Sequence, residues 1–132
     1  MKYTISKEDV FIPSFNKNKE LSDVEQIRVR YRTPTMAVKN RCRRRPEVKA
    51  ISSGTGSVNS MEITIERDDV TTLKEMLISI SNCSYEGDDN KEIKIQSAQN
   101  LMDAPLVFEP LFKEIVKEFD RILDESTLDE KN

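Results

Sequence analysis

From Phe108 to Leu123 the residues Phe108, Leu111, Phe112, Ile115, Val116, Phe119, Ile122 and Leu123 fall at offsets 0, 3, 4, 7, 8, 11, 14 and 15. That spacing follows a helical repeat, so it predicts an amphipathic α-helix with a broad apolar stripe. Glu114, Lys117, Glu118 and Arg121 fall on the other side, at separations where opposite charges can pair. A stripe this wide has to be covered. The first expectation is the domain core; the alternative is that part of it serves as a partner groove or an oligomer seam.

With 132 residues the chain has room for one such core and not for two. Hydrophobic residues make up 36% and charged residues 34%, which describes a globular domain with a lean core and a heavily solvated surface. The net charge of -3 conceals a segregation. Residues 28 to 49 carry nine basic side chains against one acid, Glu47, whereas 62 to 94 and 101 to 132 each carry nine acids against four bases. One pole is basic and most of the remainder is acidic.

Strict alternation of Ile27, Val29 and Tyr31 with Arg28, Arg30 and Arg32 predicts a strand with an apolar face and a guanidinium face. Before it, residues 10 to 20 read as an extended piece broken by Pro13 and then a polar turn. Thr33 as cap and Pro34 in the first turn start a short basic helix, expected over 34 to 45 and closed by Pro46. Glu47 to Ile51 and Met61 to Glu66 form a hairpin around the loop Ser52 to Ser57.

Asp69 can cap a helix over 70 to 81, with Val70, Leu73, Leu77 and Ile80 on its apolar side. Tyr85 to Asn90 is a turn, and Ile93-Lys94-Ile95 a short strand. Ser97 caps a short helix reaching Met102. The expected class is α+β, with N-terminal strands, a hairpin and a short basic helix, then a helical C-terminal half ending in the long amphipathic helix. The domain should span 1–123, and 124–132 should be a disordered acidic tail.

Motifs for chemistry are sparse. Without histidine, Ser-His-Asp and Cys-His arrangements are excluded. The adjacent acids Asp68-Asp69 and Asp88-Asp89 read as a helix cap and a solvated turn, so no catalytic residue is assigned. Gly54-Thr55-Gly56 lacks the third glycine and helix start of a phosphate loop, and Asp88-Asp89-Asn90 lacks the spacing of a calcium loop. No metal or cofactor is expected. Cys42 and Cys83, 41 positions apart, read as two reduced intracellular thiols. The N-terminus has no apolar signal core and no run approaches a membrane span, so the expected location is the cytoplasm.

The basic stretch is the constellation with physical weight. Arg28, Arg30 and Arg32, followed by Arg41, Arg43, Arg44 and Arg45, make a positive field suited to an acidic protein or to phosphates. A solvated basic face is the plainest account of it. Nucleic acid ranks behind an acidic protein surface, because only Tyr31 offers a stacking ring there and the acidic remainder repels a phosphate backbone.

In chain order, an extended Val10-Phe11-Ile12-Pro13 precedes a strand and Thr-Pro turn at Ile27 to Thr35. A helix then enters Ile80-Ser81-Asn82, followed by a turn, a strand, Ser-x-x-x-Leu at Ser97 to Leu101, and Leu-x-x-Glu-Ile at Leu111 to Ile115. Over most of its length this order resembles the tail assembly chaperones of long-tailed, siphovirus-type bacteriophages and prophages. The resemblance implies a non-enzymatic protein of the host cytoplasm that binds the tape measure protein while the tail tube polymerises. The tail tube protein is a second implied partner, and self-association a third option.

It also implies partner contacts through Arg28, Arg30, Arg32, Arg41, Arg43, Arg44 and Arg45, and through exposed apolar positions near Phe108 and Phe112. Family members are typically made in a second, frameshifted form, and Glu130-Lys131-Asn132 can be encoded as GAA-AAA-AAC or GAA-AAA-AAU, a run on which a ribosome can slip. The competing class is a small phage or bacterial regulator gripping nucleic acid with residues 28 to 49. A steep loss of affinity with salt would mark that alternative.

Overall fold

The computed structural model describes residues 2, 9–43, 47–52, 58–64 and 68–129. Strand β1 (Asp9–Phe11) leads through a 3-10 turn (Phe15–Glu20) to β2 (Arg28–Tyr31), helix α1 (Met36–Arg41), and strands β3 (Glu47–Ser52) and β4 (Val58–Thr64). Then come α2 (Asp69–Met76), β5 (Leu77–Ser81), β6 (Ser84–Glu86), β7 (Glu92–Lys94), α3 (Ala98–Met102), a 3-10 turn (Leu106–Phe108) and α4 (Glu109–Asp129). The fold is α+β, as the patterning predicts. An antiparallel sheet in the order β1-β2-β5 is accompanied by two two-stranded hairpins, β3-β4 and β6-β7.

Helix α4 is the floor of the core. Leu111, Ile115, Val116, Phe119 and Leu123 are buried, with Phe108, Phe112 and Ile122 packed at the margin. Burying one such side chain contributes roughly 1.5–3 kcal/mol, far more than helix propensity supplies. The stripe meets α2 through Leu73 and Met76 and meets the sheet through Tyr31, whose ring lies 5.6 Å from that of Phe119. On the outer face Glu109 pairs with Lys113, and Arg121 bridges Glu118 and Glu125. The last of these pairs spans Leu123, and the helix runs on to Asp129.

Strand β2 has its expected faces. Val29 is fully buried, Ile27 and Tyr31 pack against the core, and Arg30 is exposed. Its partner on one side is β1, with Phe11 opposite Val29. On its other side lies β5, which corrects the single helix expected over 70–81. Helix α2 stops at Met76, Leu77 turns extended (φ -75°, ψ 129°), and Leu77–Ser81 pairs antiparallel with β2.

The apolar residues of this stretch satisfy two periods at once. Val70, Leu73, Leu77 and Ile80 fit a helix, while Leu77-Ile78-Ser79-Ile80-Ser81 also fits a strand with β-branched residues. The open edge of β2 decides between them, because pairing satisfies a row of backbone groups. A register shift places Tyr31 opposite Leu77 and Arg30 opposite Ser79, so Ile78 is the bulged residue. That one extra residue lets Leu77 and Ile80, three apart, both reach the core.

Other differences are smaller. The cap of α1 is Thr35, whose hydroxyl accepts from the Val38 N–H at 3.1 Å, and not Thr33. Helix α1 ends at Arg41 with Cys42 as its C-cap, short of the expected 45; residues 44–46 lie outside the described residues. Asp68 rather than Asp69 caps α2, accepting from the Thr71 N–H at 3.1 Å.

The 47–64 hairpin has Val48 opposite Ile63, and its second strand begins at Val58, earlier than Met61; the loop at 53–57 lies outside the described residues. Tyr85 belongs to β6 and sits opposite Ile93, so the expected turn shrinks to Gly87 through Asn90, where Asn90 takes φ 59°. Ser97 caps α3 as expected, accepting from the Asn100 N–H at 3.1 Å. Among the described residues no helix is long and apolar enough to cross a membrane.

Candidate protein-docking surface

Seven arginines and two phenylalanines were the expected contacts, and the fold distributes them. Arg28 and Arg30 share the outer face of the sheet, where Arg30 is paired across to Val10 and Ser79. Arg28 is half-buried and lies 3.9 Å from Asp23, and its Nε is buried without a hydrogen-bond partner. Arg32 falls beyond the strand. Its backbone N–H donates to the Met76 carbonyl at 2.9 Å and its guanidinium to the Glu75 carbonyl at 3.0 Å.

Arg41 is drawn to the same helix end. Its Nε and a terminal nitrogen donate to the two Glu75 carboxylate oxygens at 2.8 and 3.0 Å. That bidentate bond raises the guanidinium pKa and holds the Glu75 carboxyl below its ordinary value. Two of the expected contact arginines thus clamp the negative C-terminal end of α2, where cations are favoured. Arg43 is exposed just beyond α1, and Arg44 and Arg45 lie outside the described residues. The basic pole is partly consumed by the fold's own architecture.

The apolar contacts gather more tightly. Phe108 stands at the entrance to α4 with its ring 5.9 Å from Phe15 and 5.8 Å from Tyr85. A hollow of about 200 Å³ opens on one side of it, lined by Val70, Met102, Pro105 and Phe112 among others. A second, of about 270 Å³, opens on the other, lined by Phe15, Leu21, Ile27 and Cys83 among others. The ridge between them is Leu106 and Val107, which are 84% and 67% exposed. These two, with Val70 and Leu21, are the site residues that sequence periodicity misses.

A signal for them is nonetheless present. Pro105-Leu106-Val107 precedes Glu109-Pro110, so two apolar residues sit in a proline-bracketed turn outside the helical stripe. Pro110 is tolerated in the first turn of α4, and the 3-10 turn at Leu106–Phe108 leaves Leu106 and Val107 facing outward. Scattered exposed apolar residues are ordinary, but a ridge flanked by two apolar hollows is the usual form of a docking site.

The ionisable groups offer little reactivity. Cys42 and Cys83 are both buried, and burial pushes the Cys83 thiol up to about 11, so it is protonated at neutral pH. Burial foremost, with Asp9 and Glu118 nearby, also raises the Tyr31 phenol. Among the described residues no group of three or more Cys, Asp and Glu is placed to hold a metal ion. No family model matches the chain, and no curated protein or solved structure matches it either.

Proposed function

We propose that the chain is a non-enzymatic tail assembly chaperone of a long-tailed phage or prophage, which binds the tape measure protein and keeps it soluble while the tail tube assembles around it. The observation that carries this reading is the exposed Leu106–Val107 ridge between two apolar hollows, in a chain of which 34% is charged. A chaperone of this kind needs modest apolar surface to shield a client and enough charge to stay soluble. The element order quoted above, from the Val10–Pro13 segment to the Leu111–Ile115 helix, supports the same reading.

Co-expression with the tape measure protein of the encoding phage tests it. The expected result is a soluble complex that copurifies, and aggregated tape measure protein when the chain is absent. Equal solubility with and without the chain overturns the proposal. Charge reversal of Arg43, Arg44 and Arg45 to Glu asks whether the basic pole contributes; Arg41 is left in place, because its loss would also unclamp α2.

A further inference from the structure

The charged side chains that line the two hollows are both acidic. Glu109 lines the first and Glu25 the second, and among the described residues no Lys or Arg lines either. Beside the first hollow Asp69 precedes Val70 and Asp103 stands between Met102 and Ala104, while beside the second Lys17 stands between Asn16 and Asn18. Glu109 is partly offset by Lys113 at 2.9 Å, whereas Glu25 has no ion pair among the described residues. An occupant that seats apolar side chains here therefore gains by carrying positive charge beside them.

The walls limit its form as well. The first hollow is built from α2, α3, the Leu106–Phe108 turn and α4, all helical elements. The first hollow offers no strand edge for main-chain pairing, so recognition there runs through side chains, as when an amphipathic helix is laid into a groove. Two hollows flanking one ridge suit apolar anchors on successive turns of such a helix.

We infer that the Leu106–Val107 ridge and its two hollows dock a basic amphipathic helix of a partner protein, its apolar face in the hollows and its Lys or Arg residues against Glu25 and the acidic rim. The inference rests on the reading of the chain as a protein-binding chaperone and names the chemistry of the client segment. It assigns the apolar grip to this corner of the molecule and not to the arginine face of the sheet.

The test uses the full chain with methyl-labelled Leu, Val and Ile, titrated with a synthetic amphipathic helix of leucines and lysines and with a counterpart carrying glutamates for the lysines. The expected result is shifts at Leu106, Val107 and Val70, with the acidic peptide about tenfold weaker or more. Leu106→Ser with Val107→Ser should weaken the lysine peptide about tenfold while the rest of the spectrum stays in place, because both residues are exposed. Glu25→Gln should narrow the gap between the peptides.

Equal binding of both peptides, binding unaffected by the double serine change, or shifts confined to the Arg28–Tyr31 strand would overturn the inference. So would a concentration-dependent dimer that occupies the ridge and is lost in the double variant, which would make a second copy the occupant. The two proposals fail separately. Tape measure binding that survives the double change sinks only the docking site, whereas a chain that docks the peptide but never solubilises tape measure protein sinks only the chaperone reading.

Discussion

The Glu114 carboxylate, on the outer flank of α4, receives three hydrogen bonds from the N-terminal turn 100 positions earlier in the chain. The Ser14 N–H and hydroxyl donate to it at 2.6 and 2.9 Å, and the Phe15 N–H at 3.0 Å. This is a carboxylate serving the free N–H groups at the start of a helical turn, supplied from a distant element rather than from the turn itself. It also holds Phe15 against Phe108, so it sets one wall of the second hollow.

Glu114→Ala should therefore cost about 1–2 kcal/mol of stability, with Glu114→Gln intermediate because it keeps an acceptor but not the charge. Urea unfolding monitored by circular dichroism checks the stability, and the methyl and aromatic NMR signals of the second hollow should shift in the same variants. An unchanged midpoint for Glu114→Ala would mean that the three bonds add nothing to the folded state.

Asn18 is the second clamp on that turn and is almost completely buried. Its amide donates to the Pro13 and Ile27 carbonyls at 2.9 and 3.1 Å, and its oxygen accepts from the Ile27 N–H at 2.6 Å. Asn16 and Lys17 just before it take φ 48° and 60°, a left-handed pair that requires such support. Asn18→Ala should destabilise by about 2–4 kcal/mol, since it leaves buried backbone groups unpaired. Asn18→Asp should be comparably harmful because it keeps the acceptor and loses both donors. Denaturant midpoints of the two variants decide this.

Cys42 and Cys83 should resist thiol reagents in the native chain. Both are buried, and the Cys83 thiol, pushed up to about 11, has almost no thiolate at neutral pH. A colorimetric disulfide reagent should report no rapid reaction under native conditions and two thiols in denaturant. Fast native labelling of Cys83 would show that the wall of the second hollow opens readily.

The Arg41–Glu75 clamp has a pH signature. Glu75 is held below its ordinary value of 4.5, first by the Arg41 hydrogen bond, so its contribution to stability is present above that value and disappears as pH falls through the lower folded one. Wild type and Arg41→Ala should therefore differ most in thermal midpoint near neutral pH and converge in acid below pH 4.5. Arg41 is exposed and Glu75 partly so, so the difference should be small and should shrink with salt. A difference that grows in acid would contradict the clamp.

Elements whose signal is contained in their own few residues were readable in advance. The α4 stripe, the alternating faces of β2, the Ser97 cap and the 47–64 hairpin all rest on local periodicity or a local hydrogen bond, which sequence order alone specifies. The 70–81 stretch was not, because its apolar residues satisfy both a helical and a strand period. The inward placement of Leu73, Leu77 and Ile80 follows from the helical period alone; in the strand, Leu77 and Ile80 both face inward only because of the bulge at Ile78.

The site divides along the same line. That a basic pole and an apolar region near Phe108 exist is a matter of composition and order, and both could be named from the chain. Which arginines stay available is a matter of proximity: Arg32 and Arg41 reach Glu75 only because β2, α1 and α2 converge at one helix end. The ridge at Leu106 and Val107 is flanked by hollows only where Phe15, Leu21 and Val70 arrive from three other segments. Periodicity reports which way a side chain faces from its own backbone, whereas what it faces depends on long-range packing, bulges and polar clamps such as Glu114 and Asn18, which join residues that no local pattern connects.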